Sequence, residues 1–228
     1  KIDKLIKRKN KKVRYIYIMA QLYQHSSNYR SAKNKYEQVL KSSPEYEMVF
    51  NAKMNLARSL ESGSQDTKKM RQKLFKMTKD EKNKEYLDQI YFTLAEMDIN
   101  NSDTLSAVDN YLLSAVNSVE NNTQKSLSFL ALARIDYKRS LYKDSKVNYD
   151  STLFYMDESF REYGVAKEKH EILKELVYHL DVISLQDSLQ DLAQLPAVEL
   201  SQAINLLIQA EIERERELLE DERSKQQM

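Results

Sequence analysis

The stretch 13–44, VRYIYIMAQLYQHSSNYRSAKNKYEQVLKSSP, decides the predicted fold of this chain. Two segments with apolar residues at helical spacing flank a polar turn at 25–28. Ala20 and Ala32 are small enough to let the two helices approach closely, and Tyr36 fills the space between them. Pro44 follows the second helix, because proline cannot continue the hydrogen-bond ladder. The stretch therefore predicts a hairpin of two helices.

Eight residues of this hairpin fall on the signature positions of a 34-residue tetratricopeptide repeat (TPR), when Val13 is counted as position one. They are Ile16, Met19, Ala20, Tyr23, Ala32, Tyr36, Val39 and Pro44. The stretch thus resembles that family. The resemblance implies a unit that cannot bury its apolar face alone and stacks on further copies, so that the array curls into a superhelix.

The small residue of the first helix recurs at intervals of 37, 38 and 38 residues, at Ala20, Ala57, Ala95 and Ala133. A bulky residue follows each alanine after 16 or 17 positions, at Tyr36, Leu74, Tyr111 and Tyr149. The second small position holds Ala32 in unit one and Ala107 in unit three. Unit four has Ser145 there and unit two has Lys69, so unit two departs most from the pattern.

We predict an all-α, TPR-type α-solenoid, a superhelix of about four helical hairpins with a C-terminal capping helical segment. A basic lead-in takes 1–12, and the repeats take about 13–46, 47–83, 84–121 and 122–157. Capping and extended helices take 158–228, where apolar residues recur at helical spacing from Ile172 to Leu192 and from Leu200 to Ile212. Only two glycines and two prolines occur, whereas strand-rich folds need many tight turns.

Local signals predict where helices begin. We expect the first helix to start near residue 14, and Asp80, Asp103 and Thr123 to cap later helices.

The composition argues against catalysis and metal binding. Without cysteine there are no disulfides, thiolate metal sites or cysteine nucleophiles, and two isolated glycines cannot form a phosphate loop. His170 and His179 lie on opposite sides of one predicted helix, and His25 lies in a turn. Glu171, Glu175 and His179 share a face, but a lone histidine favours a solvated surface over a metal site. We expect no enzyme, catalytic residue, metal, cofactor or small-molecule substrate.

Partner binding in such arrays is expected on the concave face, which the first helix of each unit supplies. Transfer of the inward positions through the alanine register predicts a groove lined by Arg14, Tyr17, Gln21, Gln24, Asn51, Met54, Arg58, Gln89, Phe92, Glu96, Leu130, Arg134 and Tyr137. Aromatic, Met and Arg residues are enriched at interfaces, and an extended or helical peptide could lie along this strip. Packing between repeats is the alternative interpretation for any single position.

The ends of the chain carry opposite charge, although the net charge is only +1. Eight Lys and Arg residues oppose Asp3 within the first fourteen positions, whereas acids dominate after Glu211. Solvated helix faces explain both ends, and a basic arm for an acidic partner is the alternative. A nucleic-acid-binding helical repeat, using this start and some of the fifteen tyrosines, is a weaker alternative, and we expect no nucleic-acid partner.

Three further phrases are more specific: EYLDQIYFTLAEMDI (85–99), QKSLSFLALARIDYKRSLYKDSKVNYDST (124–152) and DVISLQDSLQDLA (181–193). Together they resemble the SprE/PorW family, the tetratricopeptide lipoproteins of the type IX secretion and gliding machinery of Bacteroidetes. The resemblance covers about 85–193.

The resemblance implies a non-enzymatic scaffold on the periplasmic side of the outer membrane, linking the energising machinery to the outer-membrane translocon. Its partners would be other type IX secretion components, and it would join the membrane only through a lipid anchor. Because the chain starts at Lys1 and lacks a lipobox cysteine, we expect an internal fragment of a larger lipoprotein. A generic cytosolic TPR adaptor is the alternative.

Overall fold

A computed structural model describes residues 2–42 and 44–226, and there the chain is all-α. It has ten α-helices in these ranges: α1 Ile2–His25, α2 Tyr29–Lys41, α3 Tyr46–Arg58, α4 Gln65–Met77, α5 Leu87–Asn100, α6 Thr104–Asn117, α7 Asn122–Lys138, α8 Tyr142–Tyr155, α9 Tyr163–Ala193 and α10 Ala197–Gln226. A 3-10 helix, Glu81–Tyr86, precedes α5. Lys1 of the predicted lead-in, Ser43 of the first repeat and 227–228 of the tail lie outside the described residues.

The helices pack as consecutive antiparallel pairs, as a helical repeat requires, and the all-α prediction is confirmed. We call α1/α2, α3/α4, α5/α6 and α7/α8 pairs one to four. Neighbouring pairs meet where α2 contacts α3 and α6 contacts α7, and α5 also contacts α3 and α7. A first compact region ends at Leu173, and a second begins at Lys174.

The register residues form the core of the first compact region. All four register alanines are buried, and so are the bulky residues Tyr36, Leu74, Tyr111 and Tyr149. At the second small position Ala32, Ala107 and Ser145 are completely buried. The Ser145 hydroxyl donates to the carbonyl of Ala133 at 2.8 Å, which satisfies the one polar group in that series. Lys69, at the same position of pair two, is exposed.

Pairs one, three and four share one turn. Their first helices end five residues after the register alanine, at His25, Asn100 and Lys138. Two residues later a serine takes the left-handed conformation, with φ of 59°, 61° and 60° at Ser27, Ser102 and Ser140. The next backbone N–H then donates back to the end of the helix, from Asn28 to Tyr23, Asp103 to Asp98 and Leu141 to Asp136, at 2.8 to 2.9 Å. This geometry closes a helix with only three loop residues.

Pair two closes differently. Helix α3 ends at Arg58, one residue after Ala57, and the loop 59–64 has six residues. Its left-handed residue is Gly63, with φ of 73°. The loop is held by pair three, since the Gly63 N–H donates to Asn101 Oδ1 at 2.9 Å. Helix α4 accordingly contacts α5 more extensively than it contacts α3, and pair two is open.

Two predicted helix starts are wrong. Helix α1 begins at Ile2 rather than near residue 14, because neither Gly nor Pro interrupts the helix-forming residues before His25. Helix α7 is capped by Asn121, which accepts from the Gln124 N–H at 3.1 Å, and Thr123 lies inside the helix. Asp103 caps α6 as predicted, accepting from the Ser106 N–H at 3.1 Å. Asp80 caps the 3-10 helix that leads into α5.

The tail is helical but exposes most of its apolar residues. In the predicted stripe from Ile172 to Leu192, Leu173 is buried, whereas Ile183, Leu185 and Leu189 are exposed. Its capping role stays a prediction. Within the described ranges, no helix combines the length and the apolar composition needed to cross a membrane.

Candidate partner-binding site

The predicted groove residues lie on the first helix of each pair, α1, α3, α5 and α7. Met54 and Leu130 are 2% and 3% exposed, so both belong to the core rather than to an accessible surface. Both side chains therefore pack inside the protein, which is the alternative interpretation that the sequence left open for any single position. The other eleven residues are at least partly exposed. We call these eleven the first-helix strip.

A tyrosine network joins the strip across α1, α2 and α3. The Tyr17 hydroxyl accepts from Asn55 Nδ2 at 2.9 Å, and the Tyr17 ring meets Tyr36 edge-to-face, with 5.8 Å between the ring centroids. The Tyr36 hydroxyl donates to Gln24 Oε1 at 2.6 Å. Burial raises the pKa of both phenols, so both stay protonated near neutral pH. The network links α1, α2 and α3 through side-chain contacts at this end of the strip.

Arg58 continues the strip from α3 to α5. Its Nε lies 2.5 Å from Glu96 Oε2, and its guanidinium lies 6.0 Å from the centre of the Phe92 ring. Phe92 in turn meets Tyr111 edge-to-face at 5.2 Å. Because Arg58 and Glu96 are about one third exposed, the pair contributes little to stability but presents a charged, oriented surface.

Arg134 and Tyr137 belong to a separate cavity of about 230 Å³ at the α7 end of the strip. Lys169 Nζ lies 5.3 Å from the centre of the Tyr137 ring, and Leu130 and Tyr149 also line the space. The volume is below the range of small-molecule sites and is close to that of one large side chain.

The remaining strip residues contribute polar surface. Gln89 and Asn51 are half-buried, and Gln21 is exposed. Arg14 lines a cavity of about 210 Å³ together with Pro44 and Met48.

Buried carboxylates were missed by sequence reasoning. Asp98 and Asp136 each lie three residues after a register alanine, and each accepts from an asparagine twelve positions later. The Asn110 Nδ2 to Asp98 distance is 2.7 Å, and the Asn148 Nδ2 to Asp136 distance is 2.8 Å. Burial raises the pKa of Asp136, and it does the same for Asp88, which accepts from Asn121 at 2.9 Å. The repeated Asp-to-Asn spacing of twelve was the available signal.

These groups hold the pairs together and do not converge on a metal centre. Asp98 also binds Arg71 of α4, with an Nε to Oδ1 distance of 2.7 Å, so its charge is compensated. Across the part of the chain that the structure describes, no three His, Asp or Glu side chains group as metal ligands. The face of Glu171, Glu175 and His179 is therefore not such a cluster.

A comparison with protein-family models and with curated proteins gives no match to this chain.

Proposed function

We propose that this chain is a TPR-type scaffold that binds a partner protein along the first-helix strip. The observation that carries the proposal is the continuity of the strip. Tyr17, Arg58 and Phe92 lie on three successive first helices, are half-buried, and are held in place by Asn55, Glu96 and Tyr111. Tyr and Arg are the residue types that most often dominate binding energy when their side chains are preorganised.

The TPR assignment is supported by the register and the turns. The four alanines are buried at intervals of 37 and 38 residues, and three of the four pairs repeat a left-handed serine seven residues after the alanine. Pair two departs from both the turn and the second small position.

The geometry of the strip favours a peptide with acidic and aromatic groups. Glu96 occupies one edge of the Arg58 guanidinium, so a partner carboxylate would share or replace that contact. An aromatic or aliphatic anchor would enter the small cavity beside Tyr137.

The test is a triple change in the strip, Tyr17→Ala, Arg58→Ala and Phe92→Ala. We expect it to abolish capture of the partner by the immobilised chain, because each residue supplies preorganised contact area. The far-ultraviolet circular dichroism spectrum of the variant should stay helical. A matched control, Tyr15→Ala, Arg161→Ala and Phe154→Ala, removes the same side-chain types from exposed positions outside the strip. Capture by the triple variant at the level of the control would contradict the proposal.

We further propose, from the resemblance of 85–99, 124–152 and 181–193 alone, a place in the type IX secretion machinery at the periplasmic side of the outer membrane. Affinity capture from solubilised bacterial envelopes, with mass spectrometry as readout, tests it. Recovery of type IX components that the triple variant loses would support this location. Recovery of soluble cytosolic proteins alone would favour the generic adaptor.

A further inference from the structure

The opening of pair two leaves a groove between α2 and α4, with α3 as its floor. The groove has a cavity volume of about 620 Å³. Helices α2 and α4 each have 13 residues, so its walls are about 20 Å long. It uses Lys53 and Leu56 of α3 and Leu60 of the following loop, whereas the first-helix strip uses Asn51 and Arg58 of α3. It is therefore a second surface, distinct from the strip.

Two local features of pair two accompany this open space. Lys69 stands where the other pairs bury Ala32, Ala107 and Ser145, and a lysine ammonium at that position stays in solvent because burying it unpaired would be costly. Arg71, two residues later, binds the buried Asp98 and so holds α4 against α5. In a closed hairpin, the second helix would fill this space, whereas in pair two the space between α2 and α4 stays empty.

The groove has an apolar floor and a basic rim. Its accessible apolar residues are the half-buried Leu40, Leu60 and Met77, and the buried Leu56 and Met70 lie beneath them. Its lysines are Lys33, Lys41, Lys53, Lys69, Lys73 and Lys76, against only two carboxylates, Glu37 and Asp66. Lys33 and Asp66 form an ion pair, with a distance of 2.5 Å between Nζ and Oδ2. The other five lysines then face a single further carboxylate, Glu37. We call this surface the lysine-rimmed groove.

We infer that the lysine-rimmed groove binds an acidic amphipathic helix of a partner protein. The apolar face of that helix would lie on the Leu and Met floor, as helices do in other apolar grooves, and its carboxylates would meet the lysines. Methionine adapts its shape to different apolar side chains, which suits a docking floor. A nucleic-acid backbone would use the lysines but would leave the apolar floor without a partner.

The probe is a synthetic 18-residue helical peptide with leucine on one face and glutamate on the other, labelled for fluorescence anisotropy. We expect it to bind the full chain, and binding to weaken as salt rises. A scrambled peptide of the same composition should bind at least about tenfold more weakly, because it cannot present leucines and glutamates on separate faces.

The decisive variant is Lys69→Glu with Lys73→Glu, which we expect to weaken binding by at least about tenfold, since two lysines of the rim become repulsive. Its matched control is Lys68→Glu with Lys79→Glu, an equal charge change at exposed positions that do not line the groove. The control should bind within about twofold of the unchanged chain. Met77→Gln tests the floor and should also weaken binding, because it places an amide against the leucine face.

Several results would overturn the inference. They are no binding of the amphipathic peptide, equal loss in the two double variants, or stronger binding of a single-stranded oligonucleotide through the same lysines. Self-association that Lys69→Glu with Lys73→Glu abolishes would assign the groove to a second copy instead. The triple variant of the first-helix strip should keep peptide binding, so failure of the two proposals is distinguishable. Circular dichroism confirms that each variant is folded.

Discussion

At the scale of single residues, the buried carboxylates of Asp88 and Asp136 carry an electrostatic cost that their asparagine partners only partly offset. Asp136 is 8% exposed and accepts from Asn148 at 2.8 Å, yet burial raises the pKa of its carboxyl group. The folded chain thus holds a proton at Asp136 more tightly than the unfolded chain does. Ionisation of this group at neutral pH lowers the free energy of unfolding.

We therefore expect Asp136→Asn to have a pH-dependent effect. Between the unfolded pKa and the raised folded pKa, the folded protein binds more protons, so its stability falls as pH rises. Asparagine removes that loss and can still accept from Asn148 through its carbonyl oxygen. The free energy of unfolding of Asp136→Asn, relative to the unchanged chain, should be higher at pH 7 than at pH 4. Urea unfolding at both pH values measures it.

Asp157→Asn is the control for this prediction, because hydrogen bonds from Ser159 lower the pKa of that exposed carboxyl group. The pH dependence of its effect should have the opposite sign. A relative stability of Asp136→Asn that decreases from pH 4 to pH 7 would contradict our account of Asp136.

At the scale of helices, the position twelve residues after the register alanine differs between the closed pairs and pair two. Ala32, Ala107 and Ser145 are buried between the two helices of their pairs, whereas Lys69 is exposed beside an open groove. A small residue permits the close approach, because its side chain takes up little space between the two helices. The same position is thus a packing residue in three pairs and a surface residue in one.

This difference predicts asymmetric mutational effects. Ala107→Lys should lower the free energy of unfolding by at least about 3 kcal/mol, because it inserts a long charged side chain into a closed pair. Lys69→Ala should change it by less than about 0.5 kcal/mol, because Lys69 is exposed. Urea unfolding of both variants tests this. Ala210→Lys, at an exposed position of α10, controls for the lysine itself, and a similar effect at 107 and 69 would contradict the packing role.

At the scale of the whole molecule, the two compact regions differ in what they bury. The first contains the register core and ends within α9, where Ala166 and Leu173 are buried. In the second, among the side chains that the structure describes, none is buried, and Leu189 is 49% exposed. Helices without buried apolar contacts open at low free energy.

We expect a corresponding contrast between two leucines of α9. Leu173→Ala should lower the free energy of unfolding by about 2–4 kcal/mol, since it removes a fully buried side chain and leaves a cavity. Leu189→Ala should change it by less than about 0.5 kcal/mol. Thermal and urea unfolding give both values. Amide hydrogen exchange should be faster in residues 181–193 than in α5. Comparable protection in the two segments would contradict this, because it would mean that the apolar residues of 181–193 are buried in solution.

The sequence by itself determined the helical pairs and most of their limits, because the signals for them are local or periodic. These signals are the alanine register, the bulky residues that follow Ala20, Ala57, Ala95 and Ala133, and the cap at Asp103. The sequence also showed that pair two has Lys69 at the position where the other pairs have a small residue. The candidate site was predicted in outline, because the helical period places residues on a face.

Only the tertiary structure decided which faces are covered. It buried Met54 and Leu130, paired Asp98 with Asn110 and Arg71, and turned α4 toward α5 so that a groove opened beside α2. The physical reason is that periodicity specifies the orientation of side chains around one helix, whereas burial depends on which neighbouring helix approaches and at what distance. That choice comes from contacts between residues distant in sequence, such as Arg71 and Asp98, and no local pattern encodes it.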